Sequence, residues 1–542
     1  MKSLRFRLPA HGLTSNTLIC LVAVFLAVSG NLTFFDNVLK TYQLAAGNAL
    51  ALASLAAMLV AVTILLLALV CFGRTTKPAL IGILLLSSFA ACFMDSYGTV
   101  ISDEMLQNVA HTNMAEARDL LNFRLLAYFV ALGVIPAIVI GRFPLRWRGM
   151  RVEAVARAKL LVILVLLMVG TVLAFGGFYA SFVREHKSLR QFANPAYFIY
   201  SAVKYSNGAL AVKGVQPVTV IGSDARIPAS DVGRELSILV IGETARADRF
   251  SLNGYARDTN PQLRRAGAVS FSDFWACGTS TAVSVPCMFS SIGMEKFDAK
   301  TAVSQENLLD VLQHAGVNVL WLDNNSDSKG VALRVPYQDY KLPDVNPVCD
   351  PECRDEGMLS SLQKYIDAHP KGDIFIVLHQ MGNHGPAYYK RYPPAFEKFK
   401  PACQSNDLDQ CSREEISNAY DNAILYTDYF LGMVIELLQK NDKKFETALF
   451  YFSDHGESLG EKGAYLHGLP RAIAPDAQLH IPAIMWFGRG FDDVDLPALL
   501  QKRDTRFTHD NLFHTVLGFM EIETSVYRPK MDILDGCRKP EP

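Results

Sequence analysis

Apolar residues crowd the first third of the chain and thin out after it. Five runs before residue 185 predict membrane-crossing helices: about Leu18–Phe35, Leu50–Phe72, Leu80–Met94, Leu125–Ile140 and Leu160–Phe182. A crossing takes about 20 residues of helix, and the third run is the shortest of the five. From about residue 235 the rhythm changes to short β-branched or apolar runs separated by helix-like stretches. Strands are predicted at Leu236–Ile241, Val317–Leu322, Ile374–Leu378, Ala448–Phe452 and Ile481–Trp486. Helices are predicted between them at Asn307–His314, Met358–Ala368 and Glu414–Gln439. Alternation of this kind implies a largely parallel sheet with helices on both faces. Functional groups in such sheets gather at the carboxyl ends of the strands.

Composition agrees with two modules of different solvent. The chain has 542 residues, 50% of them hydrophobic and 19% charged, too long for one core and too apolar for a wholly water-soluble chain. Its formal charge of −1 argues against a nucleic-acid binder, and none is expected as a partner. Basic residues in the connections set the orientation. Lys2, Arg5, Arg7, Arg74, Lys77, Arg142, Arg146, Arg148, Arg151, Arg157 and Lys159 fall on one side, with only Lys40, Arg118 and Arg124 on the other. That segregation places the N-terminus in the cytoplasm. An odd number of spans then puts everything after residue 185 outside, in a bacterium the periplasm.

The expected domains are a transmembrane part over 1–184, an interfacial linker over 185–215 and a catalytic α/β part over 216–542. A polar hairpin at 95–122 carries Asn108, Thr112 and Glu116 at i, i+4 and i+8, one face of a helix. The linker mixes Phe192, Tyr197, Phe198, Tyr200 and Tyr205 with Lys187, Arg190 and Lys204, a composition suited to the headgroup interface. Cys20, Cys71 and Cys92 fall within or beside the spans. Outside, nearest-neighbour closure predicts disulfides Cys277–Cys287, Cys349–Cys353 and Cys403–Cys411, with Cys537 left over.

Ligand-type residues follow three of the predicted strands. Glu243 and Thr244 follow the first, His379 and His384 the third, and Asp454, His455 and Glu457 the fourth, with His467 soon after. Carboxylate oxygen with imidazole nitrogen is the donor set of a zinc site with an open position. The segment CGTSTAVSVPCMFSS crowds hydroxyls at a predicted helix N-terminus, where free N–H groups favour an anion. A hydroxyl there, activated by a metal, is a nucleophile. The residues alone leave Thr279, Ser280, Thr281 and Thr244 all open for that role.

The segments GETARADRFSLNGYARDTNP, CGTSTAVSVPCMFS, DNNSDSKG, HQMGNHGPAYYKRY and YFSDHGESLGEKGAYLHG resemble the lipid A phosphoethanolamine transferases, the family that includes the mobile colistin-resistance enzymes. The resemblance runs through the whole chain. It implies five transmembrane helices joined to an alkaline-phosphatase-like (sulfatase-like) domain with a central, mostly parallel sheet, in the bacterial inner membrane. The implied donor is phosphatidylethanolamine and the implied acceptor lipid A, with one tightly bound Zn²⁺. By the same resemblance Glu243, Thr281, Asp454 and His455 hold the metal, and Thr281 is the nucleophile. His384 and His467 bind phosphate, move a proton or hold a second zinc. Ser326 and Lys329, with Asn108, Thr112 and Glu116, contact the donor headgroup. Glu457 is assigned only a structural role. A monomer is expected. The nearest alternatives are a glycerol-phosphate transferase and a phosphatase-like or sulfatase-like hydrolase of the same superfamily.

Overall fold

A computed structural model describes residues 12–112, 114–184, 186, 188–212, 217–231, 233–298, 304–350, 352–491 and 493–539; the side chains of 111, 114–116 and 208–212 stand outside the description. The chain divides into two units: Met1–Leu106 with Leu121–Tyr205, and Gln107–Leu120 with Ser206–Pro542.

In the first unit, helices Ala49–Val70, Gly73–Tyr97, Phe123–Arg142 and Met150–Ala174 are long and apolar enough to cross a membrane. A fifth crossing forms if Ser15–Ser29 and Leu32–Thr41, bent by 58° to each other, count as one span. The last span differs from its sequence reading. It starts about ten residues earlier, and Phe182 sits on a separate helix, Gly176–Arg184. The early start puts charge at its head, where Arg157 Nη1 and Nη2 donate to the Ala68 carbonyl and to Ser15 Oγ at 3.0 and 2.8 Å. These bonds satisfy a charge that the run of apolar residues gave no reason to include. The break falls at Phe175, the turn residue between the two helices, and the second helix opens on Gly176 and Gly177. Leu166 and Leu173 on that span are 66% and 78% exposed, as an apolar solvent permits. The linker contains a regular helix, Ala196–Val212. Lys2, Arg5, Arg7 and Lys187 lie outside the described residues.

Among the described residues, the second unit is built on ten strands. They are β1 Glu235–Gly242, β2 Val269–Trp275, β3 Asn318–Asp323, β4 Tyr337–Asp339, β5 Ile374–His379, β6 Glu446–Ser453, β7 Ser458–Leu459, β8 Tyr465–Leu466, β9 His480–Phe487 and β10 Phe507–Thr508. Eight form one sheet in the order β10-β2-β9-β6-β1-β5-β3-β4, while β7 and β8 make a small antiparallel ribbon. The central pairs β1/β5, β1/β6 and β3/β5 are parallel, and β9 runs antiparallel to β2 and β6. Every residue of β1 and β5 is buried, which explains why both are mostly apolar. The long helix Arg413–Asn441 begins on a capping box between Ser412 and Glu415 and packs across β6. Parallel registration brings the carboxyl ends of β3, β5, β1 and β6 to one edge, with Ile241 opposite both His379 and Phe452.

Candidate active site

β1 ends into Glu243 and β6 into Asp454 and His455, all three fully buried. Their ligand atoms lie within 4.8 Å of one another. Thr281 opens the helix Thr281–Met288, and its Oγ1 donates to Glu243 Oε2 at 3.0 Å and lies 3.3 Å from His455 Nε2. His455 Nε2 is also 3.4 Å from Glu243 Oε1 and 3.3 Å from Asp454 Oδ2. The other ring nitrogen, Nδ1, is 2.9 Å from the Gly456 carbonyl, which can only accept. The ring proton is therefore held at Nδ1, and the Nε2 lone pair faces the cluster. Asp454 Oδ1 accepts from the backbone N–H groups of Thr244 and His455, while the buried Oδ2 accepts no hydrogen bond among the described residues.

Two buried carboxylates beside one another, an imidazole lone pair and a hydroxyl form a donor set that asks for a cation. Oxygen and nitrogen donors of this kind fit Zn²⁺. Each expected ligand, Glu243, Thr281, Asp454 and His455, is thus brought together. The described residues gather no such three-ligand group around His384 and His467.

Those two histidines stand beside the cluster. The His467 ring lies 4.5 Å from that of His455 and 5.3 Å from that of His384. Burial, then His467 and Arg391, pushes the His384 imidazole well below its usual pKa, so the ring is held neutral. Thr244 takes a left-handed backbone conformation with φ 54°, and its buried hydroxyl has no hydrogen-bond partner among the described residues. In that conformation its N–H donates to Asp454 Oδ1 at 3.2 Å.

Other parts of the site escaped the sequence reading. Asn325, in the loop after β3, donates from Nδ2 to Glu243 Oε2 at 2.7 Å and to the Gln380 carbonyl at 2.6 Å. That loop was singled out for Ser326 and Lys329, yet Lys329 Nζ donates to the Ser326 carbonyl at 2.7 Å. His509 accepts at Nδ1 from the Cys277 N–H and lies at Nε2 3.0 Å from the Ser453 carbonyl. It thereby ties the segment before Thr281 to the strand that ends in Asp454. Glu457 bridges His467 Nδ1 and the Tyr388 hydroxyl. The three disulfides expected from the sequence do form, Cys277 to Cys287, Cys349 to Cys353 and Cys403 to Cys411, and the leftover Cys537 is a buried thiol in the core.

Asn108 lies on the helix Asp103–His111, and the Thr112 hydroxyl donates to the Asn108 carbonyl at 2.8 Å. The Glu116 side chain lies outside the described residues. Asp119, a few residues on, is buried against Arg391 at 2.6 Å and also pairs with Lys390. Arg391 Nε in turn donates to the His384 carbonyl at 2.7 Å.

Residues 236–522 match the family model described as Sulfatase, and residues 59–210 match that described as Phosphoethanolamine transferase EptA/EptB. The chain is 41% identical over 516 residues to the phosphatidylethanolamine transferase Mcr-1 of Escherichia coli, covering 93% of this chain and 94% of that protein. The chain belongs to the phosphoethanolamine transferase family. Phosphoethanolamine transferase EptA of Escherichia coli (strain K12) is 38% identical over 530 residues, covering 96% of both chains. Among solved structures, the integral membrane protein lipooligosaccharide phosphoethanolamine transferase A (EptA) from Neisseria meningitidis matches with a TM-score of 0.93 at 35% identity, covering 98% of this chain and 100% of that one. Membership confirms the expected fold: apolar N-terminal helices joined to a sulfatase-like domain with a mostly parallel sheet.

Proposed function

We propose that this phosphoethanolamine transferase moves phosphoethanolamine from phosphatidylethanolamine to lipid A by way of Thr281, in the bacterial inner membrane with its N-terminus in the cytoplasm. The observation that carries the reading is the Thr281 hydroxyl, held 3.0 Å from Glu243 at the head of a helix and beside the His455 lone pair. Zinc bound by Glu243, Asp454, His455 and the Thr281 oxygen would supply the positive charge that lowers the hydroxyl pKa and offsets phosphoryl charge.

In the first step the Thr281 oxygen attacks the donor phosphorus, and the bond from phosphorus to the diacylglycerol oxygen breaks. Diacylglycerol leaves with a proton, and the phosphoethanolamine ester remains on Thr281. N–H groups at the start of the helix Thr281–Met288 face that anion. Asn108, Thr112, Glu116, Ser326 and Lys329 hold the donor headgroup. In the second step a lipid A phosphate oxygen attacks the same phosphorus, and the Thr281 oxygen leaves and regains its proton. His384 and His467 carry that proton or stabilise the transferred phosphoryl group. An added ethanolammonium lowers the negative charge of the surface, which weakens the pull on cationic peptides such as polymyxins.

Mass spectrometry of lipid A from cells expressing the chain, paired with metal analysis of the purified protein, tests the reading. A phosphoethanolamine mass increment and about one zinc per chain are expected. Unmodified lipid A, or release of free phosphoethanolamine alone, would replace the transferase with a hydrolase.

A further inference from the structure

A second group of carboxylates lies at the other end of the sheet. Asp231, Glu235 and Asp373 each bring a carboxylate oxygen within 4.8 Å of the others. Glu235 opens β1 and Asp373 directly precedes β5, so the group sits at the amino ends of two paired parallel strands. β1 is eight residues long, and at about 3.3 Å a step roughly 23 Å of strand separates this group from the catalytic edge. Glu235 and Asp373 are 2% and 3% exposed, and Glu235 Oε2 and Asp373 Oδ2 have no hydrogen-bond partner among the described residues. Asp454 Oδ2, in the catalytic cluster, is in the same condition. The contacts that do form orient the carboxylates: Asp373 Oδ1 accepts from the Glu235 N–H at 3.2 Å, and Asp231 Oδ1 from the Gly233 N–H at 3.0 Å. Arg234, the neighbouring cation in sequence, donates instead to the Gly372 and His369 carbonyls and lies over the Phe445 ring. Glu446 stands opposite Glu235 in the β1/β6 register and adds a fourth carboxylate nearby. Its Oε1 and Asp231 Oδ1 lie 2.6 and 3.5 Å from the point a Cβ on Gly233 would occupy. Burial, then Asp373, pushes the Glu235 carboxyl well above its usual range, so charge there lacks compensation.

We propose that this group is a calcium site that pins the amino ends of β1 and β5, with Glu235 and Asp373 as its buried ligands and Asp231 closing it from the chain that leads into β1. The donor chemistry selects the ion. Every ligand is a carboxylate oxygen, with no imidazole or thiolate to favour zinc. Calcium accepts many oxygens in loose geometry, whereas magnesium keeps most of its waters and is seldom enclosed by several carboxylates. A proton shared between Glu235 and Asp373 would still leave a negative charge on the buried pair, and a divalent ion cancels both charges. An ion lies between its ligand oxygens rather than in a solvent pocket. Lack of water contact at Glu235 Oε2 and Asp373 Oδ2 is therefore what a closed structural site shows. The site takes no part in the transfer reaction, whose groups occupy the opposite edge, and it stands whether or not that reaction is as proposed.

The test uses the full chain in detergent, dialysed into calcium-free buffer near neutral pH, with calcium chloride as the probe. Equilibrium dialysis with radioactive calcium should find one ion per chain, with a dissociation constant of about 0.1–1 mM, the range of extracellular calcium modules. At about 5 mM, calcium should raise the unfolding temperature by roughly 2 °C. Glu235→Gln combined with Asp373→Asn keeps the side-chain volumes and removes the charge. That double variant should bind calcium at least tenfold more weakly and lose the thermal shift, with its zinc content equal to the parent's. Asp231→Asn changes a half-buried position and covers the case in which the double variant fails to fold. It should weaken calcium binding at least threefold while unfolding at the parent's temperature in calcium-free buffer. Calcium bound at a small fraction of one ion per chain, binding unmoved by Asp231→Asn, or magnesium bound as tightly as calcium would overturn the proposal.

Discussion

Nδ1 of His467 lies 2.8 Å from Oε2 of Glu457, whose Oε1 accepts from the Tyr388 hydroxyl at 2.6 Å. A carboxylate only accepts, so the imidazole donates from Nδ1. Glu457 is fully buried, so it is expected to act through His467 rather than on substrate. Glu457→Gln should lower kcat roughly 10–100-fold, the usual cost of losing such an orienting partner. The KM for donor should change little. A raised KM with kcat intact, measured by steady-state transfer assays, would remove this positioning role.

Thr281 and Thr244 offer a paired experiment. Thr281→Ala should reduce transfer to background while the protein still reaches the membrane. Thr244→Ala removes a hydroxyl that makes no hydrogen bond among the described residues and keeps the backbone N–H to Asp454. Removing an unmatched buried hydroxyl costs little, so most activity should survive. Peptide mapping after incubation with donor should find the phosphoethanolamine mass on Thr281; the mass on Thr244 would reverse the assignment.

The bond between Cys277 and Cys287 spans a separation of ten residues that contains Thr281. Closing a loop of about that length stabilises by ~2–3 kcal/mol in the chain-entropy view. Cys277→Ser with Cys287→Ser should lower the urea midpoint of the full chain correspondingly. Activity should fall further than stability alone explains, because the nucleophile loses its brace.

His509 gives a pH signature. Burial pushes its imidazole down to about 4, whereas an unfolded chain binds that proton near 6.5. Above pH 6.5 neither state is protonated there, and His509 adds no pH dependence. Between 6.5 and 4 the unfolded state takes up a proton that the folded state refuses, so stability drops by up to about 1.4 kcal/mol per pH unit. His509→Gln keeps an acceptor for Cys277 and a donor for Ser453 without the titration. The parent's unfolding temperature should therefore fall relative to that variant as pH is lowered through this window. Parallel curves for the two proteins would disprove it.

Strands buried on both faces announce themselves, and β1, β3, β5, β6 and β9 all lie where their apolar runs place them. β2, with the sequence VSFSDFW, keeps three of its seven positions partly exposed and reads as too polar to stand out. The antiparallel direction of β9 leaves no trace in its own residues, since it is settled by which neighbours it meets. The cluster of Glu243, Asp454 and His455 was legible because each follows an apolar strand directly. Asn325 and His509 were not, because an amide or a ring that steadies a ligand from a distant loop has no spacing rule to betray it. The last membrane span shows the same limit: hydropathy marks the apolar stretch, while Arg157 joins the helix only because Ser15 and the Ala68 carbonyl receive it.

Asp119 belongs by sequence to the hairpin between two membrane spans and by packing to the catalytic unit, where it neutralises Arg391 and Lys390. A soluble fragment cut after the last membrane helix therefore omits one acid from its own interior. Arg391, almost fully buried, keeps only Glu352 as an acidic partner among the described residues, and the His384 backbone rests on that guanidinium. An inhibitor series refined on such a fragment meets a His384 backbone whose supporting guanidinium has lost one of its two acidic partners. Supplying residues 107–120 as a peptide, and following whether the ranking of compounds moves toward that of the intact enzyme, would measure how far the truncated target misleads.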